Sequence, residues 1–221
     1  MYAFLLIFKI ALFNSIEYIK TLCNYYSNPL FRRWDLSLIS SYLFFNPFTI
    51  SRHFLESKGE HNLYQYGETP LSTLDLIAKK LELSTDDHFV DLGSGRGRCC
   101  FWIRAFYDCK TTGVEQIPFF TEKAHHIVQK YQIEHLRFIN DDFLTMDLSF
   151  ASIIFLYGSN LEDERIQALC QHLSILQPGT RFVSISFPLS DFSEAGIFET
   201  IDEFDGVFPW GTTTIFIQKR L

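Results

Sequence analysis

Three observations predict an α/β fold: a mostly parallel sheet, covered by helices on both faces and finished by an antiparallel hairpin. From Pro70 to about Phe187, apolar runs of strand length alternate with segments of helical spacing. The stretch FVDLGSGRGR, Phe89–Arg98, sets three glycines between such a strand and such a helix. After Asp191 the alternation stops, and two extended runs follow around a turn containing Gly206, Pro209 and Gly211.

Taken in order, residues 1–58 form a separate helical segment, either a cap on the main domain or a membrane-peripheral element, ahead of a domain at residues 59–221. The opening MYAFLLIFKIALF is apolar but interrupted by Lys9, and falls short of the ~20 residues that span a bilayer. No basic start and small-residue cleavage site mark a secretory signal. Leu71, Leu74, Ile77, Ala78 and Leu81 recur at helical spacing and feed the first strand, HFVDLG. A helix follows from Arg98, then strand TTGVE ending at Glu115, helix PFFTEKAHHIVQKY, and strand LRFIN. ASIIFLYG reads as the fourth strand, EDERIQALCQHLSIL as a helix stopped by PGT, and RFVSISF as the fifth strand. IFETIDEF and TTTIFIQKR make the hairpin.

Composition narrows the class. Of 19 bases and 26 acids, residues 1–58 hold six bases and three acids. The net charge of −7 argues against direct nucleic-acid binding and admits a basic protein partner. Five cysteines, odd in number and without C-x-x-C, read as core thiols of a reducing, cytoplasmic compartment. The seven histidines lack H-x-x-x-H or H-E-x-x-H spacing, and no metal site is expected.

Ligands of parallel α/β sheets bind outside the carboxyl ends of the strands, so the loops there hold the chemistry. The glycine turn has no lysine followed by serine or threonine, as a P-loop requires, and Gly93, Gly95 and Gly97 give G-x-G-x-G where a dinucleotide loop needs G-x-G-x-x-G. Such a backbone can pass close to an amino-acid-like group, with Asp91 facing its amine or anchoring the loop. Glu115, eighteen residues beyond Gly97, ends the second strand, where a carboxylate can accept from a ribose diol. Asp142 can accept from an adenine amine, and Phe143 can stack on the ring. Amine, ribose and adenine together describe S-adenosylmethionine as the cofactor.

At these residues the chain resembles the class I, seven-strand methyltransferases, which implies a Rossmann-like seven-strand sheet over about Tyr64–Leu221. YGET at Tyr66–Thr69, DDHFVDLGSGRGR, DDFL at Asp141–Leu144, SIIFLYG, PGTRFVSISF and Trp210 resemble the non-SET histone-lysine methyltransferases of the disruptor-of-telomeric-silencing family. The resemblance implies that the loop bearing Tyr66, Glu68 and Thr69 lies over the cofactor, with Glu68 and Thr69 at its methionine part. Where that family has paired asparagines after the fourth strand, this chain has Tyr157 and Gly158, and the late hairpin has Ile215 and Phe216 in place of an aromatic hydroxyl. A related group of lysine methyltransferases carries an apolar N-terminal membrane segment and modifies membrane-embedded proteins, which the front of this chain resembles.

Methyl transfer from a sulfonium is in-line displacement, and positioning dominates it. An apolar channel favours the neutral form of an acceptor amine. Tyr157 is therefore expected in the catalytic, substrate-side role, with Phe187, Pro188 and Trp210 as further walls. The expected reaction is methylation of an amine, an accessible protein lysine, with peripheral membrane contact through residues 1–50. A small-molecule or membrane-embedded acceptor, and cofactor binding without turnover, are the alternatives.

Overall fold

A computed structural model describes residues 2–158 and 161–221. Seven strands form one sheet: β1 (His88–Leu92), β2 (Lys110–Glu115), β3 (Leu136–Asn140), β4 (Ile153–Leu156), β5 (Arg181–Ile185), β6 (Phe198–Phe208) and β7 (Gly211–Arg220). Their order is β3-β2-β1-β4-β5-β7-β6, parallel through β5 and antiparallel at β5–β7 and β7–β6. The predicted fold class is the one observed. The hairpin turn is tighter than expected, because Gly206 pairs with Thr213 inside the ladder and only Pro209 and Trp210 make the bend.

The central strands read as continuous apolar runs because both faces are covered. In β1, Phe89 joins a core with Leu74 and Ile77 of α4 (Leu71–Lys80) and Trp102 of α5 (Arg98–Tyr107). Its neighbour Val90 points to the other face and joins Ile166, Leu169 and Leu173 of α7 (Asp163–Leu173). The chain reverses from the β1–β2–β3 side to the β4 side at β1, which leaves a crevice beyond the ends of β1 and β4.

Residues ahead of the sheet form three helices, α1 (Tyr2–Asn24), α2 (Pro29–Ser41) and α3 (Pro47–Lys58). Two Asn-Pro pairs set their starts: Asn28 and Asn46 accept from the first-turn amides, while Pro29 and Pro47 occupy the turn that needs no donor. Gly59, at φ +73°, ends α3 in the left-handed conformation. Trp34, Leu38 and Tyr42 of α2 share a core with Phe101 of α5 and with Phe120 and Ile127 of α6 (Pro118–Tyr131). α1 packs on α4 towards its end, and Phe8, Leu12, Ile16 and Ile19 remain exposed.

One buried ion pair ties α2 to the glycine turn. Arg98, the first residue of α5, donates Nε and Nη2 to the two oxygens of Asp35, each at 2.8 Å. Asp35 is 0% exposed and also accepts from Tyr26 Oη at 2.9 Å. Burial disfavours the guanidinium charge, but Asp35 more than offsets this and raises the Arg98 pKa. Removing one partner of such a pair strands the other charge. Asp35→Ala is accordingly expected to lower unfolding free energy by about 3–5 kcal/mol in urea titration, and the paired change Asp35→Leu with Arg98→Met by much less.

Candidate active site

A cavity of about 540 Å³ opens beyond the ends of β1, β2 and β4. Gly93 and Gly95, Glu115, Asp142, Phe143 and Tyr157 line it, so the expected strand-end residues converge on one space. Gly93 has φ +77°, and a Cβ there would stand clear of every protein atom, leaving bare backbone for a ligand to approach. Gly95 lies under the Tyr66 ring, whose Cε2 would be 3.1 Å from an added Cβ. Gly97 serves packing instead: an added Cβ would come within 2.3 Å of the Phe138 ring, and the residue does not line the cavity.

Glu115 is held from both sides, accepting from Gly95 N and Ile117 N at 2.8 Å each. Burial raises its pKa, and the two backbone donors counter part of the rise. Each oxygen keeps a lone pair for a diol. Asp142 accepts from Leu144 N at 3.0 Å, which fixes the turn, and Phe143 is buried at the cavity wall.

Asp91 faces a narrower adjoining space with Thr69, Ser94, Cys99 and Tyr157. It is 2% exposed, and its side-chain partner is the weak donor Cys100 Sγ at 3.6 Å. Burial pushes its pKa up to about 7; the Cys100 bond lowers it and Glu115 adds to the rise. Arg96 and Arg98 line the same space but are paired with Glu68 and Asp35, so a ligand ammonium would meet an Asp91 carboxylate that neither arginine pairs with.

The loop over the turn is stapled to it. Arg96 grips Glu68 through Nε at 2.6 Å and Nη2 at 2.8 Å, and Tyr66 Oη donates to the same carboxylate. Burial opposes ionisation of Glu68, but Arg96 prevails and holds the carboxyl below its usual range. Glu68 thus positions the loop, and it lines the ligand space together with Thr69, which is buried beside Asp91. Sequence reasoning missed Arg96 and Arg98 as clamps, because their partners lie 28 and 63 residues away.

On the acceptor side, Tyr157 packs edge-on against Phe208 and Trp210, with ring centroids at 5.9 and 5.6 Å. Phe208 and Trp210 stack at 4.9 Å, and Trp210 is 49% exposed. Tyr157 Oη is buried without a hydrogen-bond partner, and burial raises its pKa. Phe187 does not reach either space: it packs edge-on against Phe192, and its carbonyl accepts from Ser184 Oγ. Pro188 leads into the turn of 3-10 helix at Leu189–Phe192. Among the described residues, no group of three or more His, Cys, Asp or Glu side chains could hold a metal ion.

Residues 91–195 match the family model described as the ANTKMT methyltransferase domain. Over 83 residues the chain is 30% identical to the sterol 24-C-methyltransferase of Candida albicans and 29% identical to that of Debaryomyces hansenii. Each match takes in 37% of this chain and spans 22% of the relative's length. An RNA methyltransferase from Salinibacter ruber in complex with S-adenosyl-L-homocysteine aligns with a TM-score of 0.57 at 25% identity, over 70% of this chain and 94% of that one. A geranyl diphosphate C-methyltransferase from Streptomyces coelicolor shares the fold, with a TM-score of 0.55 at 13% identity over 69% and 76%.

The chain has the fold of the class I methyltransferases, in its strand order and in the glycine turn that follows β1. Its cofactor is S-adenosylmethionine. The residues fit that molecule: Asp91 and Thr69 for the amino-acid end, Gly93 as open backbone, Glu115 for the ribose, and Asp142 with Phe143 for the base.

With Asp91 at the ligand amine, binding is expected to depend on pH. Its folded value of about 7 lies above the ~3.9 of an unfolded chain. Its contribution to stability is therefore full at acid pH and is lost as pH rises through about 7. A ligand ammonium requires the ionised form, so S-adenosylhomocysteine affinity should rise by up to ~tenfold per pH unit below 7 and level off above it. Calorimetry across pH 6–8 checks this, and Asp91→Asn should bind weakly with no such slope.

Proposed function

We propose that the protein transfers the methyl group of S-adenosylmethionine to an amine, the side chain of a lysine in a protein. The observation that carries this reading is the meeting of two surfaces at Tyr157: strand-end carboxylates suited to the cofactor on one side, and an aromatic wall reaching solvent on the other. The cofactor supplies the electrophilic methyl. The chain's part is to align the amine and keep it neutral, and aromatic desolvation favours loss of its proton. The matched ANTKMT methyltransferase model and the resemblance of YGET and DDFL to histone-lysine methyltransferases support a lysine acceptor over other amines.

A membrane-associated acceptor is the form of this reading that the helices favour. Phe8, Leu12, Ile16 and Ile19 of α1, with Leu43 and Phe44 between α2 and α3 and Phe48 in the first turn of α3, present apolar side chains to solvent, Phe44 at 92%. Among the described residues no helix is long and apolar enough to cross a membrane, so contact would be peripheral. The acidic run Asp191–Asp205 would guide a basic substrate; within it Glu199 pairs with Lys219 at 2.8 Å and Asp202 with Lys80 at 2.9 Å, which leaves the steering to the other acids of the run. A small lipophilic acceptor is the second reading, favoured by the match to the sterol methyltransferases.

Incubation with cofactor labelled in its methyl group and a membrane-containing lysate separates these readings. Label in protein that survives acid hydrolysis as methyl-lysine supports the first, label in the organic phase replaces it with the second, and binding without transfer removes both. Tyr157→Phe should retain near-normal kcat if the ring acts as a wall, whereas Tyr157→Ala should lower kcat by roughly ten- to a hundredfold with little change in cofactor affinity. A comparable loss in Tyr157→Phe would assign the hydroxyl a direct role.

A further inference from the structure

The three N-terminal helices differ in what they pack against. α2 lies along α5 and α6, and α1 along α4, but α3 has no comparably extensive packing against any helix or strand. Its inner stripe is nevertheless well formed: Ser51, Phe54, Leu55 and Lys58 stand at i, i+3, i+4 and i+7, and all four line the 540 Å³ cavity. Phe54 touches the edge of the core beneath α2, whereas Leu55 is buried yet belongs to none of the three apolar cores. Ser51 and Leu55 are thus largely covered by protein, and the stripe turns its remaining surface to the cavity. Across that space stand Glu115, Asp142 and Phe143, the residues placed above at the ribose and base.

Just beyond α3, Glu60 meets Arg165 of α7 at 3.4 Å across the rim of the same cavity. Both side chains are partly exposed, so the contact adds little to folding stability. It does join the end of α3 to the far wall.

We propose that α3 is the closing wall of the cofactor site: Phe54 and Leu55 pack on the adenosyl part of S-adenosylmethionine, and Glu60 with Arg165 latches the helix over it. The proposal rests on the cofactor reading and adds a route, since cofactor can then leave only when α3 lifts. Residues 47–60 become part of the binding site rather than of an appendage.

S-adenosylhomocysteine is the probe, with calorimetry for affinity and stopped-flow fluorescence for release from the full chain. Leu55→Ala should weaken binding by about tenfold; because Leu55 is 9% exposed without ligand, it should also lower the ligand-free Tm, so affinity is compared well below the variant's Tm. Glu60→Lys and Arg165→Glu should each speed release several-fold by placing like charges at the latch, and the two together should restore slow release. A Leu55→Ala protein with normal affinity would overturn the wall, and release rates unchanged in both single variants would overturn the latch. Wild-type protein that binds no S-adenosylhomocysteine would defeat the cofactor reading itself, a result distinct from wild-type binding with unresponsive variants.

Discussion

The glycine turn organises the molecule because each of its two arginines is claimed by a carboxylate from another part of the chain. Arg98 takes Asp35 and so fixes α2 against α5; Arg96 takes Glu68 and fixes the loop that crosses the cavity. Both pairs are bidentate, and the planar guanidinium fork permits one orientation of its partner. Their contribution is directional more than energetic, since buried ion pairs recover little beyond their desolvation cost. Without them the helices ahead of the sheet and the crossing loop would have apolar contacts but no fixed register on the turn.

This pairing also sets the charge of the cavity. Glu68 and Asp35 are neutralised by the arginines, while Asp91 and Glu115 are buried with only thiol or backbone donors. The rise in both their pKa values has burial as its largest cause, so the ligand-free site holds carboxylates short of a counter-charge. A ligand bearing an ammonium and a sulfonium relieves that deficit. The same low-dielectric surroundings that make the empty site costly make the filled one selective for cations.

The sheet was legible because its strands obey simple patterns. Helix Pro118–Tyr131 and strand Leu136–Asn140 fall where periodicity puts them, and Asn46–Pro47 marks the start of α3 as a break in an apolar run. Strand ends carry ligands in such sheets, so Asp91, Glu115 and Asp142 could be named from order alone. What could not be read were contacts joining distant segments. Gly97 has the spacing of a ligand glycine, yet its missing Cβ makes room for Phe138, 41 residues on. Phe187 follows the fifth strand as a substrate wall should, but the 3-10 turn after it draws the ring towards Phe192. Residues 1–58 could be read as helical, but nothing local shows that one stripe of α3 lines a cavity.

The acceptor wall is fixed independently of the cofactor half. Thr73 of α4 donates to the carbonyl of Val207 at 2.7 Å, and Gly206 lies so close to Ile215 and Thr73 that a Cβ would come within 2.4 and 3.0 Å of them. The hairpin tip is thereby docked on α4, which sets Phe208 and Trp210 against Tyr157 before any substrate arrives. The free edge of β6 carries Glu199, Glu203 and Asp205 and a register shift at Thr200–Asp202, features that discourage strand addition there. The rate of an in-line displacement depends on alignment, and two different elements control it here. The rigid wall on the acceptor side fixes where the nucleophile stands, and the closing helix on the cofactor side fixes how long the methyl donor stays.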